Sequence, residues 1–489
     1  MDKLRTVVVV VLLLGVFFRF HHLDLKVYWF DEAITSHMLS GHHSWDVKQE
    51  LQGRVIGIGE FMNYLRPSES FQDVAAVLIG EDGGQPLPYY VMAWLWLRLW
   101  GLWDGDTVVA LRSLSAAFGF VALPLMYWLC MELFGSKRIA LTAVILLAVS
   151  PFHVVYSQEA RSYSLWVAVV LLSGVCLLQA VRVKTFAVWS AYSLVMALCF
   201  YVHFYSVLVA AGHGAYLVLT RERLRGYALA MACAFLLFSP WLYVVASHWD
   251  VVSQTTAWTA VRTTKEHLVA GFSCGLASLF LDYNFGARYP LFLAVPLVFA
   301  ALAFIFHSVR RFSLDANRNQ ICFVFALMAA CGLSIIGQDL LFGGLRSTVP
   351  RYMVPLYLGV QICAAHYLAE RRRLLAAVLA IGLLSCALYS QSQVWWNKDM
   401  DEGLPHAAAA INLSERPLIV TDGNLGYLWS LGYLLTPKAI VLIADGNDTV
   451  PGGYSEVFLY KASKEMGVRV EGRYRLVKVD GCKDLWRVH

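Results

Sequence analysis

The sequence predicts a polytopic α-helical membrane protein with a small α/β domain at its C-terminal end. Hydrophobic residues make up 58% of the chain and charged residues only 15%, whereas soluble domains have about 45–50% and about 25%. Apolar runs long enough, or nearly long enough, to cross a bilayer recur through residues 1–390. Residues 391–489 instead alternate short apolar segments with turns, which is typical of a small α/β domain. Strands are expected at 418–420, 439–444 and 456–460, and a closing hairpin is expected from 474–479 and 484–488.

The apolar runs predict about 11–12 membrane spans. The longer runs lie at 6–20, 108–134, 139–152, 163–181, 186–202, 205–220, 227–247, 289–307, 319–341, 352–369 and 374–390. A shorter, tryptophan-rich run at 88–103 is either a further span or a re-entrant helix. Two domains follow: a transmembrane domain over 1–390 and an α/β domain over 391–489.

The basic residues indicate how the chain is oriented in the membrane. They cluster between apolar runs, and cytoplasmic ends of spans carry most Lys and Arg. This places the N-terminus in the cytoplasm and the C-terminal domain on the exoplasmic side, with long exoplasmic loops at 21–87 and 248–288. Loops of this length are usually functional. The net charge of +5 therefore reflects topology, and no nucleic-acid partner is predicted.

Two adjacent carboxylates, Asp31 and Glu32, follow the first apolar run within the sequence YWFDEA. Carboxylates beside hydrocarbon are costly unless they are used or paired. One interpretation is an acidic pair in the first turn of a helix. The other is that one carboxylate is a general base, with a pKa tuned by its position at the membrane boundary.

A second polar group occupies residues 150–163, SPFHVVYSQEARSY, between two spans on the exoplasmic side. Pro151 is expected to break the helix there. Glu159 and Arg161 could pair with each other or cap helix ends. The alternative is that this segment lines a cavity that faces the first loop, with substrate contacts from His153, Tyr156, Gln158 and Arg161 and with Glu159 sharing the cavity.

Exoplasmic arginines form a third group. Arg346 and Arg351 stand at the outer end of a late span and Arg112 at the outer start of its own. Lys and Arg are normally concentrated on the cytoplasmic side of a membrane protein. We therefore expect these exoplasmic arginines, with Lys265 of the second loop, to bind an anion such as an isoprenoid phosphate. The alternative is a set of surface side chains that lie among membrane lipid headgroups.

Histidines are frequent in the exoplasmic segments, and their proximity to carboxylates permits a divalent metal. No fixed metal-ligand spacing occurs, so neither a metal site nor a required cofactor is predicted. His203, at a span end, is either a packed interface residue or part of the substrate cavity. The C-terminal segment carries no phosphate-binding glycine loop, which favours a packing or acceptor-guiding domain over a nucleotide-binding one.

The order of these motifs resembles one family. YWFDEA, a loop ending in PYY, the helix start RSLS, LFGSKR, SPFHVVYSQEARSYS and PRYMVP follow one another over about residues 1–390. This series is similar to that of bacterial membrane glycosyltransferases of the protein O-mannosyltransferase type, in the GT-C class, whose superfamily includes the lipid A aminoarabinose transferase. The resemblance implies a GT-C fold in the bacterial inner membrane.

The resemblance also implies roles for particular residues. Asp31 corresponds to the catalytic carboxylate, with Glu32 beside it. Glu159 corresponds to an acid that shares the active cavity, and with Asp31 and Glu32 it is expected to be catalytic. Arg351 corresponds to the residue that holds the carrier phosphate. One motif departs from the family pattern HPPLYY, because the loop here ends QPLPYY. Gln85 replaces the histidine, which weakens any inference of a metal or a histidine contact, and with Tyr89 it is expected to line the cavity.

The activity implied is transfer of a sugar from a polyprenyl-phosphate carrier to a lipid, glycan or protein acceptor on the exoplasmic face. A single base acting in line would invert the anomeric centre. Two other functions stay open: a transporter or flippase of lipid-linked sugars, and a ligase or polymerase that uses a lipid-linked oligosaccharide. Polar clusters at span ends rather than at the membrane midplane favour the transferase over the transporter.

Overall fold

The computed structural model describes residues 2–85, 87–99, 101, 106–284, 291–401, 403–444 and 451–489. Pro86 of the QPLPYY motif, part of the run 88–103 and residues 285–290 of the second loop lie outside these ranges.

Most of the described chain is helical. The α-helices are, in chain order, α1 (Asp2–Phe20), α2 (Phe30–Ser40), α3 (Ser44–Leu51), α4 (Ile58–Asn63), α5 (Phe71–Asp82), α6 (Leu87–Leu99), α7 (Thr107–Phe134), α8 (Lys137–Ala148), α9 (Pro151–Ser157), α10 (Tyr163–Val183), α11 (Phe186–Val202), α12 (Ser206–Leu219), α13 (Leu224–Ser247), α14 (Trp249–Thr256), α15 (Lys265–Ala277), α16 (Leu291–Asp315), α17 (Arg318–Phe342), α18 (Val354–Leu368), α19 (Arg372–Gln391), α20 (Leu404–Asn412), α21 (Leu425–Gly432) and α22 (Lys464–Glu471).

Among the described residues, six helices are long and apolar enough to cross a membrane, or seven if the bent pair of α8 and α9 is one span. α8 and α9 meet at 58°, because Pro151 at the start of α9 cannot continue the preceding helix. The number is smaller than the number of apolar runs, since several runs form helices of only 14–17 residues, such as α11 and α12. A full span needs about 20 residues.

The described chain divides into two compact units. The helical unit contains residues 1–23, 82–96 and 109–391, and the mixed unit contains residues 24–81, 97–108 and 392–489. In the helical unit, α10 packs against α11, α12 against α17, and α18 against α8, α16 and α17. α10 and α18 are buried along almost their whole length, so they form the centre of this unit.

The mixed unit is built on one sheet. Its strands are β1 (Val55–Gly57), β2 (Pro417–Thr421), β3 (Ile440–Ile443), β4 (Glu456–Tyr460), β5 (Leu476–Lys478) and β6 (Leu485–Val488), in the spatial order β1-β3-β2-β4-β6-β5. β2 lies parallel to β3 and β4, whereas the outer pairs are antiparallel. All of β2 is buried, which agrees with its unbroken apolar sequence.

The strands expected in the C-terminal segment are present, including the antiparallel pair β5 and β6 around Asp480 and Gly481. The sequence patterns did not predict β1, which comes from the first loop and pairs with β3 through Val55–Leu442. The first loop therefore folds together with the C-terminal segment. The polytopic helical fold with a small α/β part is confirmed.

Candidate active site

Arg161 and Arg351 of the helical unit lie on the same aromatic ring. The guanidinium carbon of Arg161 is 6.0 Å from the centroid of Tyr163, and that of Arg351 is 5.5 Å from it. Each arginine is only 9% exposed. Tyr163 begins α10 directly after the turn that carries Arg161, which follows α9. Cations over aromatic faces are stabilised by about 0.5–2 kcal/mol.

Two further aromatic rings surround Arg351. Its guanidinium carbon is 5.7 Å from the centroid of Trp258 and 5.6 Å from that of Tyr352. Trp258 is 43% exposed, so this side of the group reaches the surface of the helical unit. Neither Trp258 nor Tyr352 was predicted as a site residue. The only signal in the sequence is that Tyr352 follows Arg351 within PRYMVP.

A polar chain leads from Arg161 to the end of α5. Arg161 Nη2 donates to Gln85 Oε1 at 3.2 Å, and Gln85 Nε2 donates to Asp82 Oδ2 at 2.6 Å. Burial raises the pKa of Asp82, although the bond from Gln85 and the charge of Arg161 oppose this shift. Gln85 thus contacts both Arg161 and Asp82, and the sequence analysis did not single out Asp82.

His203 lies in the turn between α11 and α12. Its ring stacks on Trp166 at 3.9 Å between centroids, and its centroid is 6.1 Å from that of Tyr352. Burial, with the positive charges of Arg351 and Arg161, lowers the pKa of His203 to about 3. The imidazole is therefore neutral at ordinary pH, and its Nδ1 accepts a hydrogen bond from the backbone N–H of Tyr205 at 3.2 Å.

Tyr89 contacts the turn that carries Arg161 through one serine. Ser115 Oγ donates to the carbonyl oxygen of Arg161 at 3.1 Å and lies 3.2 Å from Tyr89 Oη. Because the only hydroxyl proton of Ser115 is used in the first bond, Tyr89 is the donor in the second. Tyr89 and Ser115 therefore fix the backbone of Arg161.

The remaining residues predicted from the segment 150–163 are buried and make internal contacts. Gln158 Nε2 donates to the carbonyl oxygens of Phe18 and His21 at 2.7 and 2.8 Å, at the end of α1. His153 Nε2 is 3.1 Å from Gln361 Oε1. The ring of Tyr156 packs edge-on against Tyr163 at 5.5 Å. Glu159 is buried in the same turn, where its carbonyl oxygen accepts from the N–H of Arg161 at 2.7 Å.

The other predicted phosphate ligands include two arginines with contacts of their own. Arg346 Nη1 is 3.3 Å from Asp339 Oδ1, so its charge is balanced within the helical unit. Arg112, only 1% exposed, donates from Nη1 to the carbonyl oxygen of Leu23 at 2.6 Å. Lys265 is exposed in the first turn of α15.

Asp31 and Glu32 belong to the mixed unit, where they occupy the first turn of α2. Acidic groups at this position are favoured by the partial positive charge of the helix N-terminus. Glu32 is 1% exposed, whereas Asp31 is partly exposed. Of the two carboxylates, Asp31 is therefore the more accessible.

Among the residues that the structure describes, no group of three or more His, Cys, Asp or Glu side chains is arranged to hold a metal ion. Sequence reasoning also missed Arg19, which is buried near the end of α1. Its guanidinium donates to the carbonyl oxygens of Leu147 at 2.9 Å and Ala148 at 2.5 Å. A cation at these last carbonyls of α8 is favoured by the helix dipole, and we assign it a structural role.

Comparisons with known proteins agree with this architecture. Residues 85–244 match the sequence model of the family described as dolichyl-phosphate-mannose-protein mannosyltransferase. The fold is similar to that of ArnT from Cupriavidus metallidurans bound to undecaprenyl phosphate, with a TM-score of 0.55 and 12% identity over 100% of this chain and 98% of that chain. The apo state of the same protein gives a TM-score of 0.51 and 11% identity over 83% and 87%. A search of curated proteins finds no match.

These findings confirm the GT-C fold and the resemblance to membrane glycosyltransferases of the GT-C class. They support a multi-pass membrane protein, of which residues 85–244 are similar to a mannosyltransferase family. Arg161 lies inside the matched segment and Arg351 beyond it.

Proposed function

We propose that this protein transfers a sugar from a polyprenyl-phosphate carrier to an acceptor on the exoplasmic face of the bacterial inner membrane. The observation that carries the proposal is the pair of buried arginines, Arg161 and Arg351, on the ring of Tyr163. An anion bound beside Tyr163 would interact with both positive charges. The likeness to an ArnT structure with bound undecaprenyl phosphate supports a lipid phosphate as that anion.

Arg351 is the principal phosphate ligand in this proposal, and Arg161 assists it. A guanidinium binds two phosphate oxygens at once, and its aromatic neighbours fix its plane. Arg346 and Arg112 receive supporting roles, because Asp339 and the carbonyl oxygen of Leu23 already hold them. Lys265, exposed on α15, is a peripheral contact for the headgroup.

Asp31 is proposed to accept the proton of the acceptor hydroxyl or amine, with Glu32 orienting it. The acceptor atom then attacks the anomeric carbon, and the bond from that carbon to the phosphate oxygen breaks. Its electron pair leaves with the polyprenyl phosphate, whose negative charge Arg351 stabilises. The attack is in line with the leaving group, so the anomeric configuration inverts. We assign to the substrate cavity, or to the side chains packed around it, Glu159 and the polar residues Gln85, Tyr89, His153, Tyr156, Gln158 and His203.

No cofactor is assigned to the reaction. A sugar linked to a polyprenyl phosphate already carries its leaving group, and guanidinium groups can stabilise the phosphate as it departs. The acceptor, whether lipid, glycan or protein, supplies the nucleophile. The C-terminal part of the mixed unit is proposed to lie on the exoplasmic side with Asp31.

The decisive experiment supplies the purified protein with a panel of undecaprenyl-phosphate sugars and measures released undecaprenyl phosphate. We expect release with the wild type and a loss of at least a hundredfold with Asp31→Asn. Asp46→Asn is the matched control, since Asp46 is an exposed carboxylate in the first turn of α3. Full turnover by Asp31→Asn would remove Asp31 as the base. Failure of the wild type to bind or consume any carrier-linked sugar would overturn the transferase itself.

A further inference from the structure

We infer that helix α21 of the C-terminal segment positions the carboxylate Asp31 by holding the residues on both sides of it. The catalytic part of this inference rests on the proposed function, whereas the packing part does not. α2, which carries Asp31, packs along α21 within the mixed unit. The two helices are far apart in the chain, so their contact is a property of the tertiary structure alone.

Side chains of α2 lie directly against Gly426 of α21. A Cβ atom added there would lie 2.6 Å from Phe30 Cε2 and 2.9 Å from Ile34 Cδ1, distances below any ordinary contact. Phe30 directly precedes Asp31, and Ile34 lies one turn further along α2. An alanine at position 426 would therefore require Phe30, Ile34 or α2 itself to shift.

The backbone before Asp31 is also bound to α21. Ser430 Oγ donates to the carbonyl oxygen of Tyr28 at 2.7 Å, and both side chains are buried. The ring of Tyr28 packs edge-on against Tyr433 at 4.6 Å between centroids. Tyr28 Oη in turn lies 2.7 Å from Ser36 Oγ in α2. This hydrogen bond connects the segment before α2 to the second turn of the helix.

Aromatic contacts complete the attachment on both sides of Asp31. The ring of Phe30 lies 4.5 Å from that of Tyr427, and Lys398 Nζ lies 3.4 Å from the centroid of Trp29. Further along α2, His37 stacks on Trp429 at 4.5 Å. The side chains before and after Asp31 are thus held by the C-terminal segment.

The start of α2 has no side-chain N-cap hydrogen bond, and these packing contacts fix it instead. Trp29 is the N-cap residue of α2, and an indole has no side-chain acceptor for the first N–H groups of the helix. The direction of the first turn, and with it the position of Asp31 and Glu32, is therefore set by packing on α21. A general base must lie within hydrogen-bond reach of its proton, and a displacement of about 1 Å can reduce turnover about a hundredfold.

The test compares Gly426→Ala with Gly467→Ala. Both glycines lie in helices of the C-terminal segment, but a Cβ at Gly467 meets nothing within 4 Å, so it controls for the gain in helix propensity. Hydrogen exchange of residues 28–40 in the full-length protein is the first measurement. We expect at least threefold faster exchange in Gly426→Ala and wild-type exchange in Gly467→Ala.

Turnover is the second measurement. For Gly426→Ala we expect kcat to fall about tenfold with the KM for the donor unchanged, because Arg351 is not displaced. Gly426→Ala should still bind undecaprenyl phosphate with wild-type stoichiometry. A variant that is merely part-unfolded would bind less of it. Ser430→Ala removes only the hydrogen bond to Tyr28. It should also speed exchange over residues 28–40 and lower kcat, and it replaces Gly426→Ala in the test if that variant does not fold.

Unchanged exchange over residues 28–40 in both Gly426→Ala and Ser430→Ala would overturn the packing claim. Faster exchange with unchanged kcat would overturn the positioning claim. If the wild type transfers no sugar, the proposed function fails. The exchange data would then still show whether α21 holds α2, so the two failures can be told apart.

Discussion

The guanidinium carbon of Arg351 lies 5.5 Å from the centroid of the Tyr163 ring, and Arg161 approaches the same ring at 6.0 Å. Both guanidinium groups are buried beside one aromatic ring, whose negative face attracts cations. An anion bound here would gain from both charges. This relationship is the basis for placing the donor phosphate in the helical unit.

Replacing Arg351 should weaken binding of the carrier. We expect Arg351→Ala to lower the affinity for undecaprenyl phosphate at least tenfold, which corresponds to about 1.4 kcal/mol. Arg351→Lys should lie between alanine and wild type, because an ammonium keeps the charge but not the bidentate geometry. Direct binding to the detergent-solubilised protein measures both. Lys265→Ala, at an exposed position, should have a smaller effect; equal affinity in Arg351→Ala and wild type would remove Arg351 from the site.

The ring of Tyr163 should matter more than its hydroxyl group. Tyr163→Leu removes the π-face that Arg161 and Arg351 share, with a cost of about 0.5–2 kcal/mol. Tyr163→Phe keeps that face and should retain near wild-type thermal stability. Unfolding temperatures of both variants, measured with and without undecaprenyl phosphate, test this. Similar losses in the two variants would mean that the hydroxyl group, and not the ring, is what the site requires.

Asp339 and Arg346 should behave as a coupled pair. Asp339 is buried, accepts from the backbone N–H of Ser347 at 2.6 Å and lies 3.3 Å from Arg346. Asp339→Ala leaves Arg346 without its counter-charge and should destabilise the protein by about 3–5 kcal/mol. The double variant Asp339→Ala with Arg346→Ala should be less unstable than the sum of the single variants. Strict additivity in thermal unfolding would show that the pair is not coupled.

Glu81 should make the mixed unit sensitive to acid. Burial acts to raise its pKa, but bonds from His37, at 3.1 Å, and from the N–H of Ser44 outweigh it, so the pKa of Glu81 is lowered from 4.5. A lowered carboxyl pKa stabilises the fold above about pH 4.5, and this stabilisation is lost as the pH falls through the folded-state value. Glu81→Gln should therefore be less stable than wild type at pH 7, and the difference should shrink below about pH 4.5.

Thermal unfolding between pH 7 and pH 3 measures this dependence. Glu60→Gln is the control, because Glu60 is an exposed carboxylate of the same unit that contacts only Arg54 among the described ion pairs. Parallel curves for wild type and Glu81→Gln over the whole range would contradict the assignment.

Local sequence features predicted much of the architecture and only part of the site. Apolar runs gave most of the helices, and Pro151 gave the break between α8 and α9, because both act over a few residues. The short apolar strands β2 and β4 were recognisable for the same reason. Asp82 was not recognisable from the sequence, because its contact with Gln85, and through Gln85 with Arg161 on a later turn, exists only in the folded chain.

The sequence by itself determined the membrane class, the helical character and the motifs that hold Asp31, Arg161 and Arg351. Tertiary structure alone decided that β1 pairs with β3 and that Gly426 of α21 lies against Phe30 of α2. The physical reason is the range of the forces involved. Hydrophobic periodicity and the effect of proline depend on residues that are neighbours in the sequence. Strand pairing and close packing instead join segments that come into contact only in the folded chain.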